Sequence, residues 1–387
     1  MDLPAIKIGL DNFRPVYWAT RYTHCILPGK SGEGKSKFIA HCWKTDELYG
    51  NSKILVEPSG ELSRECFSIS RRRSLYVSLK IPISLNPLLL PYDPNTICEV
   101  TAEALNQVIS ILTPNEKLTA KMRVIWDEAV KYCLSRNRPS LELVKDYIEK
   151  LTGDAAARDG ILARLNFILG NDQMKPILCG NDSVKWGELI QNRKSFIFDA
   201  SGMTQAQMVF VGTLVTQGIR NTFRFERPKQ YKPVSVYLDE AQNFINNSFI
   251  TEILREGRKY RLSLMLATQQ FAGMNEALVK TLCNTGTIIC FLLGASDAAK
   301  IARELNCQTY ILQNLPRFHV AYLTRTRERI RRGICKVPRP PFIKKIEPKK
   351  TEPEKPTGKG WFVLEPVQPD FQLAGAGKTI RVDEVVQ

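Results

Sequence analysis

The sequence predicts an α/β fold built on a mainly parallel sheet, and three observations carry that prediction. Leu27 to Ser36 reads Leu-Pro-Gly-Lys-Ser-Gly-Glu-Gly-Lys-Ser. Gly29 and Gly34 bracket four residues and Lys35 and Ser36 follow at once, the spacing of a phosphate-binding P-loop. From Lys194 onward, apolar runs of strand length alternate with helical segments, the pattern of a parallel sheet covered on both faces. One of those runs, Val234 to Glu240, ends in two adjacent carboxylates, at the edge where open α/β sheets hold their ligands.

Taken in order, residues 1–21 are mixed and read as an edge segment. Tyr22 to Leu27 reads as a short buried strand leading into the glycine loop. The loop must turn backbone N–H groups toward an anion, and glycine reaches the needed dihedrals without strain. Lys35 to Leu48 reads as a helix with Phe38, Ile39, Cys42 and Trp43 on its packed side. Its positive amino terminus faces the phosphates. Gly29, Lys30, Ser31, Gly32, Glu33, Gly34, Lys35, Ser36 and Lys37 form the expected cradle for ATP. Lys35 supplies charge to the β- and γ-phosphates, and the Ser36 hydroxyl is a ligand for Mg²⁺.

Lys53 to Glu57 reads as a second buried strand, ended by Pro58, Ser59 and Gly60. Arg71 to Arg73 is a small basic cluster, either a solvated loop or a DNA contact. Ile81 to Pro94 reads as an irregular crossing segment. From about Asn95 to Gly170 the pattern is helical: Met122, Ile125, Trp126, Ala129, Val130 and Cys133 share one face. An all-helical insertion over 95–185 therefore divides the α/β core into 1–94 and 186–337. Further strands are expected at 194–200, 233–238, 262–267, 287–293 and 319–324, and helices at 205–223, 248–260, 271–284 and 297–305. Residues 338–387, rich in Pro, Lys and Glu, read as a flexible tail.

Composition narrows the class. The 387 residues are 43% hydrophobic, normal for a globular protein. No run of eighteen apolar residues occurs, so no transmembrane segment is expected, and the start lacks the layout of a secretory signal. Ten cysteines without a Cys-x-x-Cys pair argue against zinc and disulfides and for a cytoplasmic setting. The formal net charge of +16 favours a polyanionic partner, and Arg325 to Lys350 concentrates eleven basic residues against two acidic ones.

Asp239 is expected to serve the metal, and Glu240 to orient and activate the attacking water. Thr268, Gln269 and Gln270, at the tip of another strand, suit a sensor of the γ-phosphate. Two look-alikes are set aside. Asp127 and Glu128 fall within a helical period, and Gly375 to Thr379 lacks the upstream glycine and strand.

Asp-Glu-Ala-Gln-Asn-Phe (239–244), Ile-Leu-Arg-Glu-Gly-Arg-Lys-Tyr-Arg-Leu (253–262) and Leu-Ala-Thr-Gln-Gln (266–270) together resemble the HerA–FtsK superfamily of P-loop motors. The stretch is most similar to the conjugative coupling proteins and type IV secretion ATPases, and Thr285 to Ala302 continues the match. The resemblance implies a RecA-like core, a homo-hexameric ring and ATP-driven movement of DNA, as in conjugation or genome packaging. It also implies Gln269 as sensor and an arginine finger from a neighbouring subunit, best matched by Arg258. Recruitment to a membrane, capsid or secretion complex fits the same family. The alternatives are a secretion ATPase acting through protein contacts without gripping DNA, and a non-enzymatic adaptor. The strand form of the DNA stays open.

Overall fold

The computed structural model describes residues 3–112, 117–226, 232–243, 248–271, 276–325, 329–339 and 348. The Gly375 to Thr379 look-alike and nearly all of the 338–387 tail lie outside the described residues. In chain order the first elements are β1 (Ile6–Asp11), β2 (Arg14–Trp18), β3 (Cys25–Pro28), α1 (Lys35–Leu48), β4 (Ser52–Glu57), α2 (Glu61–Ser70) and β5 (Ser74–Val77). A helical block follows: α3 (Pro94–Leu112), α4 (Ala120–Leu134), α5 (Leu141–Glu149), α6 (Ala155–Leu169), α7 (Lys175–Leu178) and α8 (Trp186–Gln191). The chain then runs through β6 (Ser195–Asp199), α9 (Gln205–Asn221), β7 (Val234–Leu238), α10 (Ser248–Glu256) and β8 (Leu262–Thr268). It ends with α11 (Glu276–Cys283), β9 (Thr287–Cys290), α12 (Ala295–Leu305), α13 (Thr309–Gln313), β10 (His319–Arg325) and β11 (Ile330–Lys336).

The strands form one sheet in the order β2-β1-β11-β10-β9-β3-β8-β7-β4-β6-β5. From β9 to β5 every pairing is parallel, and from β2 to β9 every pairing is antiparallel. The expected mainly parallel α/β sheet is thus present, with an antiparallel flank added to one side.

Strand periodicity explains the continuous apolar runs. Successive side chains point to opposite faces, so Ile54, Val56, Phe196 and Val236 enter one core while Leu55, Ile197 and Tyr237 enter the other. Both faces are covered, so both must be apolar. The first core continues into the helical block through Trp126, Ile161 and Leu165. That block fills the crossover between the adjacent parallel strands β5 and β6 and packs on the sheet. The second core lies under α1 and α2, with Phe38, Trp43 and Phe67.

Several elements differ from expectation. Within the expected edge segment 1–21, residues 6–18 form a two-stranded hairpin, and Arg21–Thr23 is a 3-10 turn, so the P-loop strand starts only at Cys25. The expected helix 248–260 stops as an α-helix at Glu256 and tightens to a 3-10 turn over Gly257–Tyr260. Gly257 packs on His24 so closely that a Cβ there would lie 2.8 Å from its Cε1. The Asp127 and Glu128 pair sits on α4, where Arg123 holds Asp127 at 2.7 Å and the Tyr147 hydroxyl donates to Glu128 at 2.8 Å.

The basic stretch after Arg325 is not tail from its start. Seven residues of β11 pair in register with β10, from Ile330 opposite Arg325 to Lys336 opposite His319, and Lys336 also faces Leu10. Cys335 is buried in the second core. Truncation after Thr324 is expected to abolish cooperative thermal unfolding or soluble expression. Truncation after Arg339 is expected to leave the melting temperature within a few degrees, and a melting curve of each protein checks both outcomes.

Candidate nucleotide-binding site

The glycine loop leaves β3 at the carboxyl edge of the sheet and is clamped at its base. The Gly29 N–H donates to the Thr268 carbonyl (3.1 Å), and the Lys30 N–H donates to the Leu292 carbonyl (2.8 Å). Gly29 has no room for a side chain, because a Cβ would come within 2.6 Å of the Phe291 Cβ. Gly32 (φ +81°) and Gly34 (φ +109°) adopt the left-handed region. α1 begins directly after Gly34 with no side-chain cap and no acidic residue in its first turn. Its unpaired amino-terminal N–H groups are those suited to an anion.

Lys35 is buried at 5% exposure, and its ammonium donates to the carbonyls of Gly29 (2.7 Å) and Lys30 (3.0 Å). Burial lowers its pKa, while Glu240, Asp239 and Glu33 act in the opposite direction. Ser36 donates its hydroxyl to Asp239 Oδ2 at 3.0 Å, joining α1 to the tip of β7. Asp239 is buried, and burial together with the neighbouring Glu240 and Glu57 pushes its pKa up to about 6. This crowding of carboxylates is the electrostatic signature of a site that favours a cation.

Glu240 adopts φ +49°. Its Oε1 accepts from the Gln269 amide and its Oε2 from the Gln242 amide at 2.5 Å. Gln242 in turn accepts from the Thr268 hydroxyl at 2.9 Å. The structure therefore brings Lys35, Ser36, Asp239, Glu240 and Gln269 to one place. Lys30 and Ser31 lie exposed in the loop, and Lys37 turns its ammonium to Glu65 of α2 at 2.5 Å. Arg258 is not brought to the loop of its own chain. It is exposed on the turn before β8, and the seven residues of that strand, roughly 20 Å at strand rise, separate it from the nucleotide edge.

Two residues at the site escaped the sequence reading. Gln242 fixes the second oxygen of Glu240, and its only sequence signal is its place within the 239–244 stretch. Glu57, at the tip of β4, accepts from the N–H groups of Ser59 (2.7 Å), Gly60 (2.7 Å) and Ser63 (3.2 Å). Its charge is held at the amino terminus of α2 while it raises the pKa of Asp239.

A P-loop at the end of β3, with β8 between it and the acidic tip of β7, defines a P-loop NTPase fold. Comparison with known proteins narrows this class. A family model described as the TraM recognition site of TraD and TraG matches residues 233–305. The DNA double-strand break repair helicase HerA of Saccharolobus solfataricus is 21% identical over 297 residues, covering 72% of this chain. The chain spans 55% of the length of that curated relative. Among solved structures, the plasmid coupling protein TrwB in complex with ADP and Mg²⁺ superposes with a TM-score of 0.67 at 14% identity, covering 90% of this chain and 92% of that one. VirB4 of Thermoanaerobacter pseudethanolicus gives 0.66 at 15% identity, covering 88% and 98%. The two structures establish likeness of fold. Together with the HerA and TraG–TraD matches, they make the chain similar to P-loop ATPases of the HerA–FtsK and type IV coupling kind.

Gly29→Ala is expected to destabilise the protein by about 1–3 kcal/mol, because its methyl group must displace Phe291 or the loop. Gly32→Ala meets no neighbour within 4 Å, so its cost is limited to backbone strain of about 1–2 kcal/mol. Chemical denaturation of both variants checks the order.

Proposed function

We propose that this protein is an ATP-hydrolysing motor that moves DNA. The observation carrying the proposal is the chain of contacts from Ser36 to Asp239 and from Glu240 to Gln269, set beside a loop whose N–H groups suit phosphate. ATP with Mg²⁺ fits the residues present. Ser36 and Asp239 offer hard oxygen donors, Lys35 offers a fixed cation, and burial with the neighbouring Glu240 and Glu57 raises the pKa of Asp239, which a bound cation would offset. Bound Mg²⁺ supplies electrostatic stabilisation of the transferring phosphoryl group. The P-loop N–H groups and Lys35 hold and orient the phosphates. Ser36 and Asp239 hold the cation. Glu240 accepts the proton of the attacking water at a carboxylate oxygen, and Gln269 keeps that carboxylate aimed. The DNA-handling names of HerA and the coupling protein, together with the charge of +16, support DNA as the moved polymer.

The proposed assembly is a homo-hexameric ring, the arrangement in which an exposed Arg258 could meet a neighbour's nucleotide. Among the described residues no helix is long and apolar enough to cross a membrane. Recruitment to a membrane, capsid or secretion complex belongs to the same proposal. The ATPase rate without DNA, with single-stranded DNA and with duplex DNA tests the reading. Stimulation by DNA is the expected result, and hydrolysis indifferent to both forms would favour an ATPase acting through protein contacts.

Glu240→Gln is expected to bind ATP with near-normal affinity and to hydrolyse it roughly 10²–10⁴-fold more slowly, since the amide keeps the shape and cannot accept the proton. Near-normal turnover would move the base elsewhere. Arg258→Ala is expected to bind ATP and lose hydrolysis, and Arg258→Lys likewise, because a point charge does not replace a planar guanidinium. Mixing the Arg258→Ala and Lys35→Ala proteins restores activity if the finger acts across subunits. No restoration in rings shown to be mixed would refute that role.

A further inference from the structure

We infer that the amino-terminal edge of the parallel sheet, opposite the nucleotide edge, is a surface for a nucleic-acid backbone, built on Arg71, Arg72 and Arg193 with Tyr49 beside them. The inference deepens the proposed DNA-moving function and rests on it.

The strands β5, β6, β4, β7 and β8 begin nearly level. Ser74 pairs with Ser195, Lys53 with Ser195, Ser52 with Val234, and Val234 with Leu262. The segments leading into β5, β6 and β7 carry cations in succession: Arg71-Arg72-Arg73, Arg193-Lys194 and Lys232. With neighbouring strands about 4.8 Å apart, this is a line of positive charge roughly 15 Å long, a shape that suits a linear polyanion.

The middle of the line is a built feature. Arg73 donates to the Gly50 carbonyl (2.9 Å) and to the Arg193 carbonyl, which ties the β5 and β6 approaches to the end of α1. The guanidinium nitrogens of Arg73 and Arg193 come within 3.6 and 4.0 Å of the position a Gly50 Cβ would take, so two like charges converge there. The nearby Glu47 carboxylate is shared between Lys53 and Arg73. Among the described residues Arg71, Arg72 and Arg193 have no ion pair, and all three are exposed. Tyr49, next in sequence to Gly50, is 63% exposed, and an exposed aromatic ring on this edge offers a stacking platform for an unpaired base. A line of charge with one ring favours nucleic acid over an anionic membrane.

The test uses the full chain with Arg71→Ala, Arg72→Ala and Arg193→Asn combined, asparagine being tolerated at the φ of +53° of Arg193. Binding to single-stranded and duplex DNA is measured over a salt series. The log–log salt slope should fall by about two to three, at roughly 0.7 to 0.9 for each phosphate no longer neutralised, and affinity at moderate salt by at least tenfold. Basal ATPase and melting temperature should stay unchanged. Tyr49→Ala should weaken single-stranded binding more than duplex binding, and truncation after Arg339 should retain most of the slope. If the wild type binds DNA and the triple variant keeps its slope and affinity, the inference fails while the proposed function stands. Loss of binding to phosphatidylserine vesicles with DNA binding intact would reassign the surface to a membrane and also overturn it. A wild type that binds neither DNA form defeats the proposed function and this inference together.

Discussion

The candidate site depends on one strand, β8, lying between the strand that carries the glycine loop and the strand that carries the carboxylates. Pro28 is level with Thr268, and Leu238 is level with Leu266. The tips of β3 and β7 are therefore two strand spacings apart, about 9–10 Å. That gap is too wide for direct contact between loop and carboxylate. The first turn of α1 crosses it, and the Ser36 hydroxyl meets Asp239 at 3.0 Å. The tip of β8 fills the remainder with the Thr268 hydroxyl and the Gln269 amide, both joined to the Glu240 network. Without an intervening strand, the carboxylates would crowd the loop and leave no space for phosphates.

Two helices at this edge begin in the same way and are completed differently. Gly34 before α1 and Gly60 before α2 both take left-handed dihedrals, and neither helix is capped by its own N-cap side chain. At α2 the exposed N–H groups are satisfied by the buried Glu57, which reaches back from β4. At α1 no such carboxylate is supplied by the described residues. The fold thus answers the same orphan-donor problem once with its own anion and once by leaving room for another. Asp46, in the last turn of α1, forms a buried bidentate pair with Arg21 at 3.1 and 3.0 Å, joined by Ser235 and Tyr237 of β7. Burial opposes the charge on Arg21, but Asp46 and Tyr237 outweigh it and hold the pKa above its usual value. Removing one partner of such a pair typically costs about 3–5 kcal/mol, so this network ties α1 to β7 below the site.

What was legible in the sequence follows from what was periodic. Strands β3, β4, β6, β7 and β8 are buried on both faces and read as unbroken apolar runs. The glycine spacing fixed the loop, and the Asp239–Glu240 pair stood out because it ended such a run. β11 was hidden because Ile330-Arg-Arg-Gly-Ile-Cys-Lys has one solvated face, and its cations matched the tail that follows. β5 is short, and its approach is dominated by three arginines. The Arg21–Asp46 pair and the Glu57 cap were invisible for another reason. Each joins residues from separate elements, and isolated Arg, Asp and Glu residues look like solvated surface until the fold buries them together. His24 is similar. It accepts from the Leu264 N–H at 3.2 Å, and burial lowers its pKa to about 4, so it packs as a neutral ring.

The same β8 strand fixes what the two edges of the sheet can do. All seven of its residues are buried. One end presents Gln269 to Glu240. The other end carries the turn with Arg258, held in place by Gly257 packing on His24 and by Arg261 at a left-handed φ of +55°. A side chain of arginine length cannot fold back over roughly 20 Å of strand to reach the loop of its own chain. Glu47 pairs with Lys53 and Arg73, and Glu256 with Lys259; in the proposed reading the remaining cations of this edge meet anions from outside the chain, another subunit's nucleotide at Arg258 and a polymer backbone at Arg71, Arg72 and Arg193. In that reading, placing these duties on opposite edges would keep the carboxylate-rich nucleotide edge from competing with the polyanion for the same positive charge. It also makes the stiff, fully buried strands between the edges the physical connection through which events at one can bear on the other.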